Sequence, residues 1–191
     1  VMNNASGMNC GTHANSDKEL LSARIVLADG TLLDTGDPAS RKAFEQSHAP
    51  FLKRIVEIRD AIRSDQELRE RIAKKYAIKN VTGLNLLPFI AYDDPFDIIA
   101  HLMVGSEGTL AFLSEVTMKT EHDYPYSASA MLYFSEIKEA CRAVVAMKPG
   151  PVFSAELLDK KSLASVNDTT GEGLTAVLTE TKADSPEELQ A

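Results

Sequence analysis

The stretch GSEGTLAF at residues 105–112 places two glycines three residues apart between an apolar segment and an alternating one. Glycine loses more backbone entropy on folding than other residues, so paired glycines favour a turn that needs positive φ or a close approach of the backbone. Either Gly105 ends a helix that begins at Pro95 and a tight turn follows, or this turn contacts a ligand. The spacing alone favours the plain helix end.

The residues on either side of this turn predict a helix before it and a strand after it. Asp94 followed by Pro95 is typical of a helix start, because Asp caps the first N–H groups and proline suits the first helical position. The predicted helix ends at Met103, and the alternation over residues 109–120 predicts a strand. One face of that strand would carry Leu110, Phe112, Val116 and Met118.

Residues 22–35 predict a β-hairpin. Apolar and polar residues alternate on both sides of Asp29-Gly30. Asp-Gly is a strong hairpin signal because both residues tolerate positive φ. We therefore expect two antiparallel strands joined by a tight Asp-Gly turn.

The stretch from residue 37 to residue 79 predicts three helices. Their start signals are Asp37-Pro38, Pro50, and the capping-box pair Ser64 and Glu67. The third helix should run to about Lys75. The second helix carries an apolar stripe at steps of four, three and four residues, which consists of Phe51, Ile55, Ile58 and Ile62.

This helical stretch is basic, whereas the rest of the chain is acidic. Residues 41–79 contain eleven Lys or Arg and six Asp or Glu, in a chain whose formal net charge is −8. A solvated amphipathic face is the common explanation of such a pattern. The alternative is a docking surface for an acidic partner or for another domain of the same protein.

The pattern changes after a boundary at residues 121–127. Residues 128–134, 152–158 and 174–181 predict strands, with a helix over 135–148 and a short one from Asp159. This β-α-β-α-β order suggests the start of a ferredoxin-like α+β domain.

Composition excludes several classes of protein. An acidic chain is an unlikely nucleic-acid binder, and no apolar run approaches the roughly 20 residues of a membrane span.

Cys141, on the apolar stripe of the predicted helix 135–148, is expected to be a small core residue, and Cys10 lacks a neighbouring base or cation. His101 has no second His one turn away, so no helical metal pair is predicted. A cytoplasmic location fits the cysteine usage, and the two chain ends suggest a piece of a longer protein.

Four stretches together resemble FAD-linked oxidases of the vanillyl-alcohol-oxidase type, the PCMH-type FAD-binding superfamily. They are NNASGMNCG at 3–11, the hairpin at 23–34, KNVTG at 79–83 and LMVGSEGTLAFLSEVT at 102–117. All four occur in the family's order. The resemblance is greatest to large bacterial D-2-hydroxy-acid dehydrogenases of the D-lactate or D-2-hydroxyglutarate type, which carry a C-terminal iron–sulfur region.

The resemblance implies a fold and a cofactor. Residues 1–122 would be the C-terminal part of an FAD-binding domain with a helical insertion at 38–75, and residues 128–191 would begin a ferredoxin-like substrate or cap domain. FAD would accept a hydride from a D-2-hydroxy acid and pass electrons to an iron–sulfur cluster or another acceptor. The residues implied to contact FAD are Asn4, Ala5, Ser6, Gly7, Gly105, Ser106, Glu107, Gly108 and Phe112.

The chain departs from the family pattern at informative places. Leu84 stands where the family has Tyr after KNxxG, and Ala111 replaces the Gly of its TLG triplet. The family's Gly-rich pyrophosphate loop, its catalytic residues and its iron–sulfur cysteines have no counterpart here, so no catalytic or metal residue is named. We therefore expect the fragment alone to bind FAD weakly and to be inactive.

Two other functions stay open. The basic segment could bind an electron acceptor, another subunit or the iron–sulfur region, and an alcohol or aldonolactone oxidase of the same fold is not distinguished by this stretch of sequence. A peripheral membrane association and a homo-oligomer are both compatible with the sequence.

Overall fold

The computed structural model describes residues 1–5, 7, 15–166 and 174–190. The chain divides into two compact units, Val1–Glu121 and His122–Ala191. Each unit combines helices with one three-stranded antiparallel sheet. The chain is therefore of the α+β class, as the sequence predicts.

The first unit has a sheet with the strand order β2-β1-β3. Its elements are α1 (Ser16–Glu19), β1 (Leu20–Val26), β2 (Leu32–Asp34), α2 (Pro38–Ser47), α3 (Ala49–Ser64), α4 (Gln66–Lys75), α5 (Pro88–Ala91), α6 (Pro95–Leu102) and β3 (Phe112–Met118). Its core joins both sheet and helices, with Ile25, Leu33, Phe44, Ile98 and Val104 almost completely buried.

The predicted hairpin is confirmed, but its turn is one residue longer than expected. Leu27 and Thr31 still pair through a backbone hydrogen bond of 2.9 Å, and the Gly30 N–H donates to the Leu27 carbonyl at 2.9 Å. Only Gly30 has positive φ, at 85°, whereas Asp29 does not. The loop therefore resembles a turn closed by one left-handed glycine rather than a two-residue Asp-Gly turn.

A β-bulge at Ser114 changes the face of β3 that meets the core. Arg24 pairs with Glu115 and Ile25 pairs with Leu113, so Ser114 is the extra residue. Its hydroxyl donates to the Arg24 carbonyl at 3.0 Å. The predicted apolar face is wrong before the bulge, because Leu113 packs on the core and Phe112 is 69% exposed. A bulge inserts one residue and thereby re-aims the side chains that precede it.

The three predicted helices of the basic stretch are present, with two corrections. The cap of α4 is Asp65, whose carboxylate accepts from the Leu68 N–H at 3.0 Å, rather than Ser64. In α3 the core-facing stripe begins with Leu52 rather than Phe51, which is 40% exposed. The caps Asp37 of α2 and Asp94 of α6 are confirmed.

The second unit contains the predicted alternation of strands and helices. Its elements are β4 (Tyr126–Phe134), α7 (Ile137–Met147), β5 (Ser154–Leu158), α8 (Lys160–Ser165), β6 (Thr175–Ala183) and α9 (Pro186–Gln190). The strand order is β4-β6-β5.

The expectation that Cys141 is a core residue is wrong. Cys141 is exposed, and Ala140 is the buried residue of α7. Ile137 and Val145 are exposed beside it, because the helix is rotated by about one residue from the face that the apolar stripe predicts. In the part of the chain that the structure describes, no helix combines the length and apolarity needed to cross a bilayer.

Candidate functional site

The turn after α6 has the strained backbone that its glycines suggest. Gly105, Glu107 and Gly108 have φ of 80°, 52° and 74°. Ser106, which is buried between them, donates its hydroxyl to the Met103 carbonyl at 2.8 Å. Glu107 is a non-glycine residue in the left-handed region and is exposed, a combination that occurs often where a backbone serves a site.

The N-terminal segment packs directly against this turn. The Glu107 N–H donates to the Met2 carbonyl at 2.9 Å, and the Asn4 N–H donates to the Val1 carbonyl at 2.8 Å. Asn4 also has positive φ, at 51°, and is buried. Two stretches that lie about a hundred residues apart in sequence are thus joined at their backbones.

The KNVTG stretch forms a third side of the same junction. Gly83 has φ of 73°, and its carbonyl oxygen lies 3.4 Å from the position that a Cβ on Gly105 would occupy. Asn4 Cβ lies 3.6 Å from that position. A side chain at Gly105 would therefore meet both neighbours while adopting a backbone conformation that L-residues avoid. We call this meeting point, formed by Asn4, Gly83 and Gly105–Gly108, the glycine junction.

The glycine junction contains an unsatisfied polar atom. Asn4 is only 4% exposed, and its buried side-chain Oδ1 has no hydrogen-bond partner. Buried polar atoms nearly always have a partner, and leaving one unpaired costs about 1–3 kcal/mol. Within the described residues, the backbone N–H groups of Gly105 and Gly108 also make no hydrogen bond. The junction therefore holds one buried acceptor and two backbone donors that have no partner among the described residues.

An open cleft continues from the glycine junction. It has a volume of about 270 Å³ and lies between residues 108–112 and the hairpin residues 26–28. Phe112 is one of the residues that line it, and 69% of Phe112 is exposed. The cleft and the junction share Gly108.

The structure brings together five of the predicted site residues: Asn4, Gly105, Ser106, Glu107 and Gly108. Phe112 lies on the adjoining cleft. Ala5 is exposed, and its N–H donates to the Asn3 side chain at 3.1 Å. Gly7 accepts a hydrogen bond of 2.9 Å from the Lys79 ammonium group. Ser6 and Cys10 lie outside the described residues.

Sequence reasoning assigned no role to three residues that the structure places here, Met2, Lys79 and Gly83. Lys79 and Gly83 belong to the KNVTG motif; Gly83 is part of the junction, whereas Lys79 binds the Gly7 carbonyl of the N-terminal segment. Met2 contributes only its backbone carbonyl oxygen, which accepts from the Glu107 N–H, and the type of side chain at a position does not predict such a contact.

The helix that leads into the turn carries a buried histidine, His101. Its Nδ1 donates to the Asp97 carbonyl at 2.8 Å, and its ring stacks on Tyr92 at a centroid distance of 4.1 Å. Burial, together with the nearby carboxylates of Asp17 and Asp97, raises the pKa of Tyr92. Among the described residues, no three His, Cys, Asp or Glu side chains come together as a metal site would require.

Comparisons with known proteins point to one chemical class of enzyme. No protein-family model matches the chain. Over 79 residues, 40% of the chain, it is 32% identical to a D-lactate dehydrogenase [cytochrome], mitochondrial, of Arabidopsis thaliana. Over 165 residues, 85% of the chain, it is 25% identical to a D-2-hydroxyglutarate dehydrogenase of Pantoea ananatis. The matches span only 14% and 16% of the length of these two curated relatives, both of which are named as dehydrogenases of 2-hydroxy acids.

Proposed function

We propose that this chain is part of an FAD-dependent dehydrogenase that oxidises a D-2-hydroxy acid, either D-lactate or D-2-hydroxyglutarate. The observation that carries the proposal is the glycine junction. Three separate stretches that resemble flavin-enzyme motifs converge there around the unpaired carbonyl of Asn4. The similarity to two enzymes with these substrates in their names supports the same choice.

The groups at the junction fit the chemistry of FAD. Its phosphates are anions that accept hydrogen bonds from backbone N–H groups, which Gly105 and Gly108 offer. Its hydroxyl groups and ring N–H are donors, which suit the buried Asn4 carbonyl. The glycines leave no Cβ between the backbone and a bound group.

In this proposal the chain binds and orients, and FAD, when bound, supplies the capacity to accept a hydride. Asn4 and the Gly105–Gly108 turn hold the cofactor, and Glu107 presents a carboxylate at the exposed tip of that turn. The proposal assigns no residue of this chain to binding of the hydroxy acid or to removal of its proton.

The two units suit the proposed division into an FAD-binding part and a cap. In the second unit, β4, α7, β5 and β6 follow one another with the short helix α8 between β5 and β6, and β6 lies between the other two strands, as in the first part of a ferredoxin-like fold. In the first unit, the helices α2–α4 would be the insertion and the rest would be the second part of a PCMH-type domain.

The direct test is reduction of the enzyme's flavin by its substrate. The full-length protein is purified, its flavin absorbance is recorded without oxygen, and D-lactate, D-2-hydroxyglutarate and their L-enantiomers are added in turn. We expect bleaching by one of the D-acids and not by its enantiomer. Bleaching by an alcohol or an aldonolactone alone would favour a related oxidase of the same fold, and a protein without flavin would refute the proposal.

A docking role for the basic helices is the second candidate function. The structure limits the docking surface to fewer basic residues than the sequence suggests. Arg63 donates to the carbonyls of Phe89 and Tyr92, and Arg59 donates to that of Asp93, so these two residues hold the fold. The exposed cations Arg71, Lys74 and Lys75 at the end of α4 make no ion pair with the described residues. An electron acceptor with an acidic surface is the partner that this cluster would suit.

Charge reversal tests this second candidate. Changing Arg71, Lys74 and Lys75 together to Glu should weaken binding of the electron acceptor and leave the flavin content unchanged, because among the described residues no hydrogen bond or ion pair joins these three side chains to the glycine junction. The Lys53→Glu change on exposed α3 is the control. Binding that is insensitive to the triple change and to salt would identify a solvated surface.

A further inference from the structure

The segment between α4 and α5, residues 76–87, contacts the N-terminal segment at one point and the Gly105 turn at another. The Lys79 ammonium group donates to the Gly7 carbonyl at 2.9 Å, and the Gly83 carbonyl approaches Gly105. Lys79 and Gly7 are 72 residues apart in sequence. The contact therefore ties the N-terminal segment to a different part of the first unit.

The segment is itself held in place by side-chain hydrogen bonds to its backbone. The Tyr76 hydroxyl donates to the Leu84 carbonyl at 3.2 Å and accepts from the Leu86 N–H at 3.3 Å. The Asn80 side chain accepts from the Thr82 N–H at 3.1 Å, and the buried Asn85 accepts from the Leu87 N–H at 2.9 Å. These bonds replace the regular ladder of a helix or strand, so Lys79 extends from a fixed backbone.

Two hydrogen bonds join the N-terminal segment to distant parts of the first unit. The Met2 carbonyl accepts from the Glu107 N–H, and the Gly7 carbonyl accepts from the Lys79 ammonium group. Asn4 lies between these two bonds in the sequence. Both bonds therefore act on the short stretch of backbone that carries the Asn4 side chain.

We propose that Lys79 is a positioning residue for the cofactor. Its bond to the Gly7 carbonyl fixes the N-terminal segment and thereby the position of the Asn4 side chain beside the Gly105–Gly108 turn. This inference rests on the proposed function. It adds a residue that neither the motif resemblance nor the two relatives assign to the site.

The test uses three variants of the full-length protein. Lys79→Met removes the charge and the donors at similar volume, Lys79→Arg keeps both, and Lys74→Met is a matched control on an exposed lysine of the preceding helix. Two quantities are measured for each variant: hydrogen exchange of the Glu107 N–H in the protein without cofactor, and the dissociation constant for FAD. The exchange measurement does not depend on any cofactor, because the Glu107 N–H bonds to Met2 in the chain itself.

We expect Lys79→Met to speed exchange at Glu107 and to raise the dissociation constant for FAD, each by about tenfold, with Lys79→Arg and Lys74→Met close to wild type. An unchanged exchange rate at Glu107 in Lys79→Met would show that the Lys79–Gly7 bond does not hold the N-terminal segment. Faster exchange with unchanged FAD affinity would make Lys79 structural only and overturn its cofactor role. If the wild-type protein binds no FAD, the proposed function and the cofactor role fail together, and the exchange data still decide whether the tether exists.

Discussion

The guanidinium group of Arg63 donates a hydrogen bond of 2.7 Å to the carbonyl oxygen of Tyr92, and a second of 2.9 Å to that of Phe89. It also pairs with the carboxylate of Asp93, whose pKa it holds below the usual value. Arg63 lies on α3, and the three partners lie just before α6. The basic helices therefore support the segment that leads into α6 and the glycine junction.

Replacing Arg63 by Ala should destabilise the first unit by about 2–4 kcal/mol, because two backbone carbonyls lose a charged donor. Urea unfolding followed by circular dichroism measures this change. Arg71→Ala is the matched control on exposed α4 and should stay within about 0.5 kcal/mol of wild type. Equal effects of the two substitutions would contradict the structural role of Arg63.

Gly105→Ala should cost about 1–2 kcal/mol, because alanine is strained at φ of 80°. The added methyl group would lie in ordinary van der Waals contact with the Gly83 carbonyl, at 3.4 Å, so the cost comes from the backbone conformation. Gly7→Ala is the control: a Cβ there has no neighbour within 4 Å, and its φ lies outside the left-handed region. Stability is compared by urea unfolding, and a Gly105→Ala protein as stable as Gly7→Ala would contradict the backbone conformation of the junction.

The register of β3 can be tested with two adjacent substitutions. Phe112→Ser should change stability by less than about 0.5 kcal/mol, because the side chain is exposed. Leu113→Ser should cost more than about 1 kcal/mol, because Leu113 packs against the core. The opposite order in urea unfolding would mean that the bulge at Ser114 is absent.

The hairpin turn carries a pH-dependent contact. The hydrogen bond from His48 Nε2, with help from the Thr31 N–H, lowers the pKa of Asp29 from 3.8 to about 2. A carboxyl whose folded pKa is depressed stabilises the fold above its unfolded pKa, and this contribution is lost as pH falls through the folded pKa. The loss should therefore occur between about pH 4 and pH 2.

Nuclear magnetic resonance titration of Asp29 measures this shift directly. In His48→Gln the pKa of Asp29 should rise toward 3.8, since its largest cause is removed. In Asp29→Asn the stability should fall less steeply between pH 4 and pH 2 than in the wild type. An Asp29 that titrates normally in the wild type would contradict the contact.

The sequence predicted the elements well and their fine geometry poorly. Caps such as Asp37 and Asp94 act on neighbouring N–H groups, so local spacing was sufficient to find them. The bulge at Ser114 depends on pairing with β1, which lies about ninety residues away, and no local pattern encodes it. The exposure of Cys141 likewise depends on how α7 meets its sheet.

The site, too, could be predicted from the sequence only in part. The glycines at positions 105 and 108 predicted a backbone with positive φ, because few other residues tolerate that conformation. The tether from Lys79 to Gly7 joins a side chain to a backbone oxygen, and nothing in the sequence marks a carbonyl as an acceptor. Such contacts become visible only when the segments are placed in space.

Replacing Asn4 by Gly tests most sharply whether the glycine junction binds FAD. Glycine tolerates the φ of 51° at this position, so the change removes the buried amide and keeps the backbone. The measurement is a titration of the full-length protein with FAD, beside urea unfolding without FAD. We predict FAD binding at least about tenfold weaker than in the wild type. The cofactor-free protein should lose no more than about 1 kcal/mol of stability, because the backbone entropy of glycine is offset by removal of an unpaired buried carbonyl. Unchanged FAD affinity in Asn4→Gly, or a wild-type protein that binds no FAD, would contradict the account.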